Sequence, residues 1–543
     1  MFRENHDHNQ QSLLDSTQWM NPRIREKLKK SWAPVFYEHV FCKIDESPFS
    51  VLYAAKNGAP NFPVNILISL EYIKSIKVCN DLELLDAFYF DYMVNYALGI
   101  KTLGELNLAE RTLNHFRERV YKYCLENPEK EDLLFGQFIR LLESFAIHSG
   151  ISLEQQRTDT TLFMSNIKKA GRMSLAYDVL VKAVKAIPEA KRTETLSQVL
   201  EPTFKTDTLY RSKAQEGDSK LTQLLNLCRE ALDLLNNLPE MQSSEEVRIT
   251  RRFIEEQATV DTQTGKLIAK PKKEISSSSL QSAYDEEATY RIKGDVRQSG
   301  YVLELSETCN RENPFQLLTD YAVEPNNISD VEILKDRLGP ISKNTGCTDM
   351  YVDGGFHSPD VHTTAQENGI EIHLTNMSGT TPSKKLPTTA FEIDSETYII
   401  SKCPMGYVPT RCGVSNSQTS AHFPHQACAG CELRDKCYSK TQGKDNVVRI
   451  PVKAVKAGLE RISMKVEQKE NTSMRAGIEG SNSALKRTGL QKLTVRGKIK
   501  SRMVCSIMAT GQNIKRFIKF LQGGYKPKNT SLPLYATPAP ILR

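Results

Sequence analysis

The stretch Asp349-Met350-Tyr351-Val352-Asp353-Gly354-Gly355 ends a short apolar strand on an aspartate and follows it at once with two glycines. Open α/β sheets place ligand sites just outside the carboxyl ends of their strands, and glycine there lets a backbone or a phosphate come close. Taken singly, Asp-Gly after a strand reads equally as a plain turn. The order of elements around it decides the fold. Residues 155–163, 300–305 and 316–323 carry strand-like patterns, and a helix is expected around 329–337, directly before the aspartate. Strand, helix, strand in that order predicts a sheet with parallel pairing and helical crossovers.

Outward from this core the pattern changes. Residues 177–257 are helical in periodicity, and a Lys- and Ser-rich linker follows at 270–279. The first 130 or so residues also read as helical, with amphipathic runs at 63–73, 81–88 and 109–119. The last run bears Arg111, Arg117 and Arg119, which suits a helix-turn-helix type of DNA reader; an ordinary bundle with a charged outer face fits the same pattern.

Composition bounds the setting. A chain of 543 residues holds roughly two to four domains. The formal charge of +7 is mild, so its placement matters more than its size. Residues 1–18 are polar, unlike a signal peptide, and no run approaches the roughly 18 apolar residues of a membrane helix. Twelve cysteines are too scattered for a disulfide scaffold, but five fall between Cys403 and Cys437. A reduced, cytoplasmic setting is expected, with that cluster as a metal binder.

Charge placement is uneven at the far end. Glu479 is the last acidic residue, and the 64 residues after it carry 13 Lys and Arg. Such a stretch either supplies sequence-independent affinity for phosphates or is a solvated basic tail. Arg475, Glu479 and Lys486 stand at i, i+4 and i+11, along one face of a helix. A carboxylate between two cations suits a metal site flanked by phosphates, and equally a surface ion-pair stripe. Gly477 and Gly480 weaken such a helix by up to about 1 kcal/mol each, which points to close backbone approach or to a helix beginning near Ser481.

In several segments the chain resembles the DDE transposases of bacterial insertion sequences, in the subgroup with a long helical N-terminal region. The matching segments are 88–98 with 112–117, Arg157-Thr158-Asp159-Thr160-Thr161, 280–285 with 290–294, Asp353-Gly354-Gly355-Phe356-His357-Ser358, and 475–481 continuing through Lys486-Arg487 to Arg496-Gly497. They span about residues 30 to 505. The resemblance implies a ribonuclease-H-like α/β catalytic core with insertions, preceded by an all-α domain. It implies a triad of Asp159, Asp353 and Glu479 holding Mg²⁺ (or Mn²⁺) for in-line displacement at DNA phosphates. Arg475 and Lys486 match the subgroup's Arg-x3-Glu-x6-Lys signature and are expected, with Arg487, Arg496, Arg111 and Arg117, to contact DNA. The fullest form of that signature has a Tyr three residues before the Arg; here it is Thr472, so no stacking role is carried over. Asp349, Asp360, Asp320 and Glu324 are decoy acids near plausible strand ends.

The expected organisation is a helical DNA-binding domain over 1–150 and the first part of the core over 151–375, with a helical insertion at about 177–275. A Cys-rich insertion over 376–470, the last part of the core over 471–505 and a basic tail over 506–543 follow. Within the Cys-rich region, Cys403, Cys428, Cys431 and Cys437 are the preferred ligands of a structural zinc, with Cys412 spare and His422 and His425 as substitutes. Expected partners are double-stranded DNA, both element termini and target, and a second copy of the chain in the DNA complex, with no membrane. Two other readings remain open: a nuclease of the same fold that cuts without joining, and a DNA-binding protein that no longer cuts.

Overall fold

The computed structural model describes residues 1–10, 15–56, 58–130, 132–168, 170–210, 216–293, 296–375 and 385–524. The longer helices and the strands that matter are labelled in chain order. Helices α1 (Val64–Lys77), α2 (Glu110–Glu126) and α3 (Leu133–Ser149) precede strand β1 (Gln155–Phe163). Helix α3 starts where the Asp132 carboxylate accepts from the Leu134 amide at 2.9 Å and stops at Gly150, whose φ of 62° suits glycine. Helices α4 (Arg172–Ala186), α5 (Gly217–Asn236) and α6 (Glu245–Gln257) then form a bundle with its own apolar cluster, running from Leu175 to Ala283.

The chain returns to the sheet with β2 (Val296–Thr308), β3 (Leu318–Pro325), α7 (Asp330–Thr345), β4 (Asp349–Val352), α8 (Pro359–Glu367) and β5 (Glu371–Leu374). Strand β2 pairs antiparallel with both β1 and β3, whereas β4 runs parallel to β1 and β5 parallel to β4. The order is therefore β3-β2-β1-β4-β5, with a short strand Thr289–Lys293 folded back on the start of β2. Parallel pairing needs crossovers, and α7 and α8 supply them. Their apolar residues Leu334, Leu338, Val361 and Ala365 cluster with Met350 and Val352 of β4.

After β5 comes a four-stranded antiparallel sheet, β6 (Arg411–Ser415), β7 (Gln418–Pro424), β8 (Ser439–Gln442) and β9 (Asp445–Pro451), in the order β6-β7-β9-β8. Two long helices end the described chain, α9 (Val452–Leu485) and α10 (Lys498–Leu521).

Three of the expected segments meet the elements differently. The Cys-rich insertion does not run to 470, because α9 begins at Val452, directly after β9. Its expected first residues, 376–384, lie outside the described residues, as does Gly294 of the matching segments. The expected tail over 506–543 is not a tail up to Leu521: α10 buries Cys505, Met508, Ala509, Ile514, Phe517 and Ile518. Positions 525–543 lie outside the described residues. Nor do residues 1–150 keep a core to themselves, since one apolar cluster joins α1 to α3 with β2, β3 and α10. Phe517 stacks on Phe145 at 4.3 Å, and the Asn513 side chain bonds both the amide and the carbonyl of Leu318, each at 2.8 Å, as a neighbouring strand would.

Candidate active site

Strand register explains how two distant aspartates meet. Arg157 on β1 pairs with Tyr351 on the parallel strand β4, so two residues further along each chain Asp159 and Asp353 emerge side by side. Strand β4 ends at Val352, and Asp353 turns the chain: its Oδ1 accepts from the Gly355 amide at 2.8 Å. A Cβ on Gly355 would sit 2.8 Å from that oxygen, so glycine is required for the close approach.

Helix α9 lies across the sheet and brings the third acid. Asn471, Met474, Ile478, Ser481 and Leu485 recur at helical spacing and are buried, while Arg475 and Asn482 border the aspartates. The Arg475 Nη2 lies 3.0 Å from Asp159 Oδ1 and 3.5 Å from Asp353 Oδ2, and its Nη1 lies 3.2 Å from Glu479 Oε1. Asn482 donates to Asp159 Oδ2 at 3.3 Å. Asp159, Asp353 and Glu479 thus converge on a single guanidinium. Exposure grades from 13 % for the Asp159 side chain to 66 % for Glu479, so the group opens to solvent on the Glu479 side.

Beneath it lies a buried ionic network that sequence reasoning missed. Glu307 on β2 is held through Oε2 by Arg157 Nε and Nη2 at 3.0 and 2.9 Å, and through Oε1 by Arg516 at 2.6 Å and the Ser481 hydroxyl at 2.7 Å. Arg157 also donates to the Met474 carbonyl at 2.7 Å. Strand β1, helix α9 and helix α10 are thereby locked one residue from Arg475 and two from Glu479. Such a buried carboxylate is tolerable because two cations and a hydroxyl satisfy it. Gly477 packs directly on the Arg157 guanidinium, where no Cβ fits, whereas Gly480 faces open space. Close approach therefore accounts for the first glycine of the pair and not for the second. A sequence signal existed only for Arg157, two residues before Asp159 on the same face of one strand.

The decoy acids have other partners: Asp349 with His373 at 2.8 Å, Asp320 with Arg337 at 2.6 Å, and Glu324 with Lys498 at 2.6 Å. Asp360 caps nothing itself; its amide bonds the Ser358 hydroxyl at the start of α8. Asp349, Glu371 and His373 gather their ligand atoms within 4.8 Å of one another at the opposite end of β4, away from Asp353.

The expected DNA contacts divide. The Arg117 guanidinium turns inward to Glu71 at 2.7 Å and to Asp81 at 2.7 and 2.8 Å. Hydrogen bonds from Arg117 first, and from Lys74, hold the Asp81 carboxyl far below its ordinary range. Arg111 is exposed and bonds His115 at 3.1 Å. Arg496 is exposed, bonds the Asn166 carbonyl at 2.9 Å and lies over the Tyr284 ring. Lys486 and Arg487 are exposed where α9 ends. Part of the basic stretch after Glu479 is neutralised by acids of this chain, as in Arg502 with Asp132 at 2.9 Å and Arg516 with Glu307.

Cys403, Cys428, Cys431 and Cys437 line one small cavity beside β7 and β9, with Cys412 apart from them, its sulfur accepting from the Ile400 amide at 3.3 Å. Burial pushes the Cys428 and Cys437 thiols up. Among the described residues the four sulfurs are not drawn within 4.8 Å of one another. His422 is engaged by Asp445 at 3.3 Å, and His425 by Asn446 at 3.3 Å.

A mixed sheet with one carboxylate midway along β1 and another just past the end of β4, met by a third on a helix laid across it, gathers oxygen donors, the ligand type that hard divalent cations prefer. The sequence comparisons add one match. Residues 402–518 match the family model described as Transposase DDE domain. No curated protein and no solved structure matches the chain. The match supports a relationship to DDE transposases, and with it a ribonuclease-H-like core and transposase-type DNA cleavage and transfer in general. It covers Glu479 but neither Asp159 nor Asp353, which the fold brings to it. No helix among the described residues is long and apolar enough to cross a membrane.

Proposed function

We propose that this chain is a transposase that binds the ends of a bacterial insertion sequence and cuts and joins DNA with Asp159, Asp353 and Glu479 as its catalytic carboxylates. The observation that carries the reading is their convergence on one guanidinium from β1, from the end of β4 and from α9, with the third acid inside the matched family segment. Three carboxylates around one arginine leave a net negative site of hard oxygen donors, which fits Mg²⁺ or Mn²⁺. Bound there, the metal ions would activate the attacking oxygen and stabilise the leaving one. The chain's own groups position the rest. Asn482 and the Gly355 amide fix the two aspartates, and the Glu307 network fixes α9 against β1. Lys486, Arg487, Arg496 and Arg111 are the candidate phosphate contacts, which would orient the duplex without reading its sequence. On this reading the protein works in the cytoplasm at the nucleoid, as a homodimer holding two element ends.

A second metal belongs to the Cys-rich insertion: we propose that Cys403, Cys428, Cys431 and Cys437 close around a structural zinc. Their shared cavity supports this, and thiolate capture would draw the sulfurs together.

The test of the catalytic reading is cleavage of a DNA fragment bearing the element's own termini, with Mg²⁺, by wild type and Glu479→Gln. Groups that merely orient a metal ligand are worth about 10–100-fold, so losing a ligand is expected to lower cleavage by more than about 100-fold while DNA binding persists. Equal cutting by both proteins would remove Glu479 from the site. Joined products separate a transposase from a nuclease, and binding without cutting by wild type would favour the DNA-binding reading.

A further inference from the structure

The guanidinium at the centre of the triad is badly placed for a structural salt bridge. An arginine paired for stability meets one carboxylate through two parallel bonds of about 2.7–2.9 Å. Arg117 and Arg337 come close to this pattern, each with two bonds to one aspartate. Arg475 instead touches three carboxylates through one nitrogen each, at 3.0, 3.2 and 3.5 Å, and its buried Nε has no hydrogen-bond partner. Charge is satisfied there and hydrogen-bond geometry is not. Among the described residues the ligand atoms of the three acids do not all lie within 4.8 Å of one another, whereas each reaches the cation.

We propose that Arg475 competes with the divalent cation for Asp159, Asp353 and Glu479, and that DNA relieves the competition by offering the guanidinium a phosphate. The inference rests on the triad proposed above and adds a coupling between its two ligands. One monovalent group cannot neutralise three carboxylates, so a divalent cation displaces it readily once the arginine has another anion. Arginine stays charged and its planar fork matches phosphate, so it moves between the two anions without changing protonation. The exposed Lys486 and Arg487, just past the end of α9, mark the side from which a polyanion would approach. By linkage, whatever factor DNA adds to cation affinity the cation adds to DNA affinity.

The test is Mn²⁺ binding to the full chain, read by electron paramagnetic resonance of free Mn²⁺, with and without a 30-base-pair duplex. Wild type, Arg475→Ala and Arg475→Gln are compared, each also combined with Asp159→Asn or Glu479→Gln. A full charge within 4 Å of an anion changes its ligand affinity by about tenfold or more. Without DNA, both arginine variants are therefore expected to bind Mn²⁺ at least about tenfold more tightly than wild type. That gain should vanish when Asp159 or Glu479 is neutralised, and the duplex should raise affinity in wild type alone. Thermal melts with and without Mn²⁺ show that each variant is folded, and Arg475→Gln retains most of the side-chain volume should the alanine unfold. If the arginine variants bind no tighter while Asp159→Asn and Glu479→Gln still abolish binding, the competition is overturned and the triad stands. If neutralising the acids changes nothing in any background, the triad itself fails and the competition with it.

Discussion

At the scale of single residues, Glu304 shows what a buried carboxylate costs when no cation reaches it. It lies on β2 beside Thr160, accepts one bond of 3.3 Å from the Thr158 hydroxyl through Oε1, and leaves Oε2 without a hydrogen-bond partner. Arg337, the cation that lowers it, is committed to Asp320 through bonds of 2.8 and 2.6 Å. Burial first, and the like charge of Asp320 second, push the Glu304 carboxyl well above the carboxylate range. A raised folded value means that stability is full below the unfolded value of about 4.5 and is lost as pH rises toward the folded one. Glu304→Gln keeps the shape and has nothing to ionise. Thermal unfolding followed from about pH 4.5 to pH 8 should show near-equal midpoints at the acid end and a variant that is increasingly the more stable one above it, by about 1–3 kcal/mol for one buried, unsatisfied group. A wild type that gains on the variant as pH rises would mean that the carboxylate has a cationic partner after all. Glu304 was not legible in Leu303-Glu304-Leu305, because alternation in a strand predicts one wet face. Strand β2 has a neighbour on each edge and layers on both faces, so its glutamates had to be read from the fold. Asp353, by contrast, was legible because its two glycines are local chemistry: one of them makes room for the carboxylate it follows.

At the scale of elements, the Cys-x2-Cys spacing carried its own message, whereas helix boundaries did not. Residues 453–470 are rich in Lys and Glu, so the sequence reads as a continuation of the insertion, yet the backbone is already helical from Val452. What fixes that start is a contact far away in sequence: Gly458 packs on the Thr388 side chain, and the Thr388 hydroxyl donates to the Ala454 carbonyl at 3.2 Å. The Cys-rich sheet feeds straight into the helix that carries Glu479, so the proposed zinc site and the proposed catalytic carboxylate share a scaffold. If the four cysteines hold zinc, the thiols that burial has pushed up must lose their protons on binding, and affinity falls as pH falls. Purified protein is then expected to contain one zinc per chain by inductively coupled plasma mass spectrometry, and Cys428→Ser to contain none. Competition with a chelator should strip wild type more easily at pH 6 than at pH 8. Full zinc occupancy in Cys428→Ser would take the metal away from this cavity.

At the scale of the whole molecule, the part of the basic stretch after Glu479 that forms α10 is structural. The sequence offered a phosphate-binding segment or a solvated tail, and α10 is neither: its cations pair with Asp132, Glu118, Glu324 and Glu307, and its apolar face is the seam between the helical N-terminal region and the sheet. Long-range pairing of this kind leaves no local trace, which is why 1–150 reads as a domain of its own. The contacts argue otherwise. Phe517 stacks on Phe145 and lies edge-on to His39 at 5.3 Å, Gly511 fits against Ser75 of α1, and Arg502 holds Asp132 at the start of α3. Each fully buried Phe, Ile or Met is worth about 1.5–3 kcal/mol, so Met508, Ile514, Phe517 and Ile518 together reach about 6–12 kcal/mol. That matches the roughly 5–15 kcal/mol on which an entire domain survives. A fragment of residues 1–150 should therefore lack a cooperative thermal transition and bind a hydrophobic dye, and so should a chain ended after Cys505. The same fragment mixed with a peptide of residues 496–524 should regain part of its helical circular dichroism and lose the dye. A sharp, reversible transition in residues 1–150 alone would instead make the N-terminal helices an independent unit, with α10 an accessory to it.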